Sequence, residues 1–307
     1  MEGIYMRKCK KCLFTFSGVT IIILSIAIAL SLTSCYVGYS KITVDGKTRY
    51  YRIHIPSKLD TSIQPPLLLA FHQFSDTARG MEKLTQLNDY ADREQFIVVY
   101  PQGRWRTWKT DPIPNDDTRF IEELIQFLVL EYRVDPGRIY ATGASAGGMM
   151  IQAFACYSDK ISAIAPVMGS MTQEHASQRK PIKNIPVLII HGTKDPVVPY
   201  DGGATHAGIK KTTFLSAEEN AKWWATQYGC QEEPLLKNYP DTNRDDNFTT
   251  EIFDFKCNPR VMLYKVNGGG HTWPGGKNRY PKFIVGPTAP EPDATYIIVK
   301  FFQNNAL

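Results

Sequence analysis

The sequence predicts an α/β fold with a mostly parallel central sheet and helices on both faces. Two observations carry this. Short, continuous apolar runs, the mark of strands buried on both faces, recur along the chain. Amphipathic segments that open on helix-capping residues fall between them. A third observation bears on domains: after residue 35 there is no linker-like stretch and no internal repeat, so residues 36–307 read as a single domain.

The elements follow in order. Tyr50–Ile55 (YYRIHI) alternates and reads as a strand. Leu67–Phe71 (LLLAF) is the first buried run, and Phe96–Tyr100, Ile139–Thr142, Ile161–Val167, Val187–Ile190 and Val261–Val266 repeat it. Residues 118–131 place apolar side chains at 120, 121, 124, 125 and 128 against charges at 119, 122 and 123, with Asp116 or Asp117 as the expected N-cap. Gly148–Cys156 is a short helical stretch. Ser216-Ala217-Glu218-Glu219 is a capping box for a helix through Trp223, Trp224 and Tyr228, ended by Gly229. Asp293 caps a last helix with apolar residues at 297, 298, 301 and 302. In parallel sheets of this kind, ligands bind at the carboxyl ends of the strands, which filters the candidate residues.

The first 35 residues stand apart as a targeting segment. Basic residues at 7–11 precede an apolar run at 13–32, and Leu32-Thr33-Ser34-Cys35 resembles a bacterial lipobox, in which the cysteine is lipidated and becomes the first mature residue. An uncleaved membrane anchor and a plain secretory signal are the alternatives. All three export the rest of the chain, because positive charge before the apolar run stays inside. The expected location is therefore the cell envelope or beyond, with membrane attachment through Cys35. The net charge of +5 supports no nucleic-acid partner. Arg7, Lys8, Lys10 and Lys11 against Glu2 put +3 of it in the targeting segment, and no basic run follows. Cys9-x-x-Cys12 lies in that segment too and does not read as a metal site. In an oxidising compartment the remaining Cys156, Cys230 and Cys257 allow one disulfide. Cys230 and Cys257 bracket a polar excursion at 231–256 and are the expected pair, leaving Cys156 as a buried thiol.

Gly143-Ala144-Ser145-Ala146-Gly147 fits G-x-S-x-G, a pattern that chance supplies in roughly one chain of this length in ten. Its setting is more specific. It follows the strand ending at Thr142 and precedes a helix, with only Gly and Ala around the serine, as a nucleophile elbow requires. A serine hydroxyl needs an imidazole base, and the base needs a carboxylate to fix its tautomer. The expected chain order is Ser, then acid, then His. Of His175, His191, His206 and His271, the last lies in a glycine-rich loop directly after a strand (GGGHTWPGG, 268–276) and is the expected base; His191 reads as a supporting hydrogen-bonded residue and His206 as surface. Asp195, in HGTKDPVVP after the strand at 187–190, is the expected acid, ahead of Asp201 and the solvated Asp241, Asp245 and Asp246. The oxyanion hole takes the N–H of Ala146 and one from the loop at 71–76.

Taken together, these motifs resemble the exported α/β-hydrolase esterases of the polyhydroxybutyrate depolymerase-like and feruloyl esterase-like kind. FIVVYPQG (96–103), VDPGRIYATGASAGGMM (134–150), AIAPVMG (163–169), HGTKDPVVPYDGG (191–203) and GGGHTWPGG carry the resemblance across residues 65–305. It implies the α/β-hydrolase fold, a triad at Ser145, Asp195 and His271, and a cysteine pair before the last strand, matching Cys230 and Cys257. The implied activity is hydrolysis of carboxylic esters through an acyl-enzyme. Substrates would be feruloyl or acetyl esters of plant polysaccharide, or polyhydroxyalkanoate esters. Two departures stand out. His72-Gln73 replaces the usual His-Gly, which leaves the second oxyanion donor between Phe74, preferred, and Gln73. The loop at 104–115 carries Trp105 and Trp108 in place of a cysteine; with Trp273 these are the expected substrate platforms. No HExxH, paired-cysteine site or G-x-G-x-x-G occurs in the exported part, so no metal or cofactor is expected. A lipid-anchored binding protein on the same fold and a serine peptidase are the rival readings.

Overall fold

Asp45 and Gly46 both adopt positive φ (49° and 70°), the backbone of a tight two-residue hairpin turn, and they join β1 (Ser40–Val44) to β2 (Lys47–His54). In this computed structural model the described residues are 37–60, 62–205, 212–230 and 233–305. The lipobox with Cys35, the apolar segment before it, and His206 lie outside them. Among the described residues no helix is long and apolar enough to cross a membrane.

From β2 the chain enters the buried runs that the sequence marks: β3 (Leu67–Phe71), β4 (Ile97–Pro101), β5 (Ile139–Ala144), β6 (Ala163–Val167), β7 (Val187–Gly192) and, late in the chain, β12 (Val261–Asn267). Two short strands, β8 (Gly203–Thr205) and β9 (Thr212–Phe214), form a separate ribbon. Two more, β10 (Leu235–Asn238) and β11 (Thr249–Asp254), precede β12. The main sheet runs β1-β2-β4-β3-β5-β6-β7-β12-β11-β10, parallel from β4 to β12 and antiparallel at both edges.

The helices fall where apolar stripes need cover: α1 (Ala78–Thr85), α2 (Leu87–Glu94), α3 (Asp116–Tyr132), α4 (Ala146–Ala155), α5 (Gln173–Gln178), α6 (Ala217–Gln227), α7 (Lys282–Val285) and α8 (Ala294–Asn304). Alternation along β3 shows the layering. Leu67, Leu69 and Phe71 join a core cluster with Phe120, Leu124, Met150, Phe154 and Trp224 from α3, α4 and α6. The opposite face meets α8, where Phe302 stacks on Tyr140 with ring centroids 4.9 Å apart.

Capping follows the sequence with one correction. The Ser216–Glu219 box forms around α6, and Asp293 accepts from Tyr296 N at 3.1 Å to open α8. The N-cap of α3, however, is Asn115, whose side chain accepts from Asp117 N and Thr118 N, and not Asp116 or Asp117. Asp117 is held elsewhere: buried, it pairs with Arg49 at 2.6 Å and accepts from Lys109 N at 2.8 Å.

Candidate active site

Strand β5 turns into helix α4 at one residue, Ser145, with φ 52° and ψ −116°. A side chain in this region is strained, and such strain concentrates at functional positions. The turn is possible because Gly143 and Gly147, two residues to either side, lack side chains. A Cβ on Gly143 would lie 2.4 Å from the Gly147 carbonyl carbon, and one on Gly147 would lie 2.3 Å from the Phe71 carbonyl oxygen. Backbone thus passes against backbone on both sides of the serine. Ser145 N donates to Val167 O at 2.9 Å, which fixes the turn to β6.

Strand register sets what can reach this serine. Ala144 pairs with Val167, Val167 with Ile190, and Ile190 with Tyr264, so the carboxyl ends of β5, β6, β7 and β12 are level. Neighbouring strands lie about 4.8 Å apart, which puts the end of β7 roughly 10 Å from that of β5. The loops after β7 and β12 carry Asp195 and His271, and both side chains are buried. His271 Nδ1 donates to Asp195 Oδ2 at 2.7 Å. With Nδ1 protonated toward the carboxylate, Nε2 is the free lone pair of the ring. Asp195 Oδ1 accepts from Val197 N and Val198 N, each at 2.8 Å. Burial alone would raise the Asp195 pKa; hydrogen bonds from His191 and His271 and their charges outweigh it and hold the carboxyl well below its ordinary range. His191 supports the loop, as its place in the sequence suggests. Its Nε2 donates to Val198 O at 2.8 Å and lies 3.4 Å from Asp195 Oδ2.

Opposite the elbow, the loop after β3 is pinned through His72. Gly103 N donates to His72 Nε2 at 3.0 Å, so the ring proton sits on Nδ1 and is donated to Gln73 O at 2.8 Å. Burial lowers the His72 pKa to about 4, which keeps this ring neutral. Gln73 needs no left-handed backbone; the positive φ of this loop, 61°, falls at Ser75, two residues later.

A cavity of about 670 Å³ opens at this edge. Its wall includes Phe74, Ser145, Ala146, Met149, His175 and Phe214. His271 and Asp195 are not part of that wall. The contribution of Thr172–His175 and of β9 is what the sequence reading missed. His175 was visible only as one more histidine after Ser145, and nothing in a six-residue helix such as α5 signals that it lines a cavity.

The expectations for Trp108 and Trp273 need correction. Trp273 is 0% exposed and donates Nε1–H to Thr295 Oγ1 at 3.0 Å, so no ring face is open to a substrate. Trp108 is buried against Phe71 and donates to His72 O at 2.8 Å. Both lock loops in place. Trp105 is outside the cavity wall, with its side chain in solvent. Cys230 and Cys257 form a disulfide, Cα atoms 5.8 Å apart. Cys156 is a buried free thiol, its pKa pushed up to about 12 by burial. Among the described residues no cluster of His, Cys, Asp and Glu could hold a metal ion.

A mostly parallel sheet with a strained serine at a strand–helix turn and an acid–histidine pair at the same edge defines an α/β-hydrolase. The chain belongs to the phospholipase/carboxylesterase family, whose model matches residues 109–222, and it is a carboxylesterase-type hydrolase. "Putative esterase NocK" of Nocardia uniformis subsp. tsuyamanensis is 32% identical over 268 residues, covering 81% of this chain and 77% of that protein. Feruloyl esterase B of Piromyces equi is 32% identical over 73% of this chain, and the bifunctional acetylxylan esterase/xylanase XynS20E of Neocallimastix patriciarum 29% identical over 74%. The chain spans only 43% and 31% of the length of these two fungal enzymes. Among solved structures, an acetyl xylan esterase from Aspergillus awamori shares the fold, with a TM-score of 0.57, 18% identity and coverage of 76% of this chain and 94% of its own.

Proposed function

We propose that the protein is an exported serine esterase that cleaves feruloyl or acetyl esters of plant polysaccharide, tethered to a membrane by lipid on Cys35. The observation that carries the catalytic reading is Ser145, strained and on the cavity wall, on the same sheet edge as the 2.7 Å Asp195–His271 pair. Ser145 Oγ attacks the ester carbonyl carbon as His271 Nε2 takes its proton. Asp195 keeps the ring in the productive tautomer and stabilises the imidazolium. The oxyanion accepts from Ala146 N, among the first amides of α4 and so without an intrahelical partner, and from Phe74 N. Phe74 lines the cavity beside Ser145 and Gln73 does not, which favours Phe74 as the second donor. His271 then protonates the leaving alcohol, and water returns the serine by the reverse sequence.

The substrate class rests on the names of the fungal relatives and on the sequence resemblance. The test is an assay of the exported chain on methyl ferulate, acetylxylan, a 3-hydroxybutyrate oligomer and a peptide amide. Ferulate or acetylxylan turnover is expected, with kcat falling about 10⁴-fold or more in Ser145→Ala. Activity surviving that substitution sinks the mechanism. Preference for the hydroxybutyrate oligomer moves the substrate to the polyester class. Wild-type inactivity on every ester favours a binding protein. For the anchor, metabolic labelling with a fatty-acid probe is expected to mark the wild-type chain and not Cys35→Ser.

A further inference from the structure

Beside the candidate active site lies a surface feature that ester cleavage does not use. Trp105 has φ 55° and Arg106 has φ 60°, two successive non-glycine residues in the left-handed region that bulky side chains rarely adopt. The indole is 88% exposed and lies outside the cavity. This strained turn is bound to the wall of the cavity. Ser75 N donates to Arg106 O at 2.8 Å, and Ser75 follows Phe74, which is 64% exposed and lines the cavity at Ser145. Arg106 Nε reaches Asp76 O at 3.4 Å, and Asp76 Oδ1 accepts from Arg279 at 2.7 Å. Arg104 lies 3.7 Å from Asp116, which also pairs with Lys47 at 2.7 Å and feels the charge of Lys109. Five cations, Arg104, Arg106, Arg279, Lys47 and Lys109, thus stand around this turn with two carboxylates, Asp76 and Asp116, while nearby Asp117 is neutralised by Arg49.

An open ring face set among planar guanidinium groups is the chemistry that holds a sugar ring bearing a carboxylate: stacking for the ring, charge-assisted hydrogen bonds for the acid. Within RWRTWK (104–109) Trp105 is the one exposed apolar side chain, flanked on both sides by an arginine, while Trp108 is buried. We propose that the turn at Arg104–Arg106 is a subsite for the glycan part of the substrate, where Trp105 stacks on a sugar and the arginines bind uronate carboxylates of an acidic polysaccharide. This rests on the polysaccharide-ester reading and specifies which polysaccharide, with the chain running past Phe74 so that its ester reaches Ser145.

The test separates binding from turnover. Ser145→Ala protein is titrated with glucuronoxylan and with uronate-free arabinoxylan, with and without Trp105→Gly. Glycine suits φ 55°, so this variant is expected to keep its fold, which its thermal midpoint checks. Affinity for glucuronoxylan is expected to fall at least tenfold in Trp105→Gly, to fall at least fivefold in Arg106→Gln, and to weaken as NaCl rises from 50 to 500 mM. In the active enzyme, the ratio of kcat/KM on feruloylated glucuronoxylan fragments to that on methyl ferulate should drop tenfold with Trp105→Gly, through KM. Equal glucuronoxylan affinity with and without Trp105 overturns the subsite, and so does a Trp105-dependent affinity for phosphatidylglycerol vesicles in place of glycan. Equal affinity for the two xylans overturns the uronate assignment. Glucuronoxylan binding through Trp105 in a chain that hydrolyses no ester would retain the subsite and discard the esterase; ester turnover without that binding would do the opposite.

Discussion

His72 lies outside the proposed chemistry and anchors the loop beside it. Its ring accepts from Gly103 N and donates to Gln73 O, and its carbonyl accepts from Trp108 Nε1, so one residue ties the loop beside Ser145 to the ends of β3 and β4. A second ring proton would set two donors against each other at Nε2. Burial lowers its pKa from 6.5 to about 4. Between those values the unfolded chain binds the extra proton and the folded chain does not, so stability falls as pH drops through 6.5 and goes on falling to about 4. Going from pH 7 to pH 5, this residue alone is expected to remove about 2 kcal/mol. Urea unfolding of wild type and His72→Asn at both pH values checks it: the variant's stability should be less pH-dependent by that amount, and parallel pH dependence would refute the linkage. In the proposed mechanism Asp195 is the counterpart for catalysis. Asp195→Asn keeps the shape but turns a ring-orienting acceptor into a mixed donor and acceptor. A drop in kcat of about 10⁴-fold, with KM within a few-fold, is expected on the best ester substrate.

At the scale of elements, the elbow depends on how closely α4 passes over the end of β3. Gly147→Ala would put a methyl carbon 2.3 Å from Phe71 O and 2.8 Å from His72 O, both backbone atoms that cannot rotate away. The helix must tilt off the sheet, carrying Ser145 and Ala146 N with it. Overpacking of this kind costs about 1–3 kcal/mol, and a shift near 1 Å in catalytic geometry lowers kcat roughly 100-fold. Thermal melting with steady-state kinetics checks both, and a variant with normal kcat would show that the approach is not needed. The elbow was legible in the sequence because its constraint is local: small residues must flank the serine whatever lies elsewhere. The six central strands were legible for a similar reason, since burial on both faces writes an unbroken apolar run. β11 was not. Thr250, Ile252 and Asp254 point inward, and a buried Asp balanced by Arg260 at 2.7 Å and Lys237 at 3.5 Å looks like a solvated loop in sequence. The tryptophans failed in the opposite direction. Trp108 and Trp273 sit in loops beside the motifs, but whether an indole faces a cleft or the core is set by partners such as His72 O and Thr295, distant in the chain.

The whole molecule divides its labour between the two edges of the sheet. Ser145, Asp195 and His271 stand at the carboxyl ends of the strands. The disulfide stands at the opposite edge: Cys257 lies in the turn before β12, whose first residue, Val261, pairs with Val187 at the start of β7. Its partner Cys230 follows α6, so the bond ties that helix to the antiparallel edge of the sheet, across a sequence separation of 27 residues. Closing a loop of that length removes unfolded-chain entropy equivalent to about 3.5 kcal/mol. Because the bond is remote from the edge that carries the proposed triad, its loss should change stability and leave the chemistry intact. The double variant Cys230→Ser/Cys257→Ser is expected to melt about 10 °C lower than wild type while keeping kcat/KM within twofold at 25 °C. Scanning calorimetry in parallel with ester hydrolysis checks it, and dithiothreitol should bring wild type toward the variant. Loss of activity without loss of stability would mean that the β10–β11 edge shapes the site, and the division between the two edges would have to be abandoned.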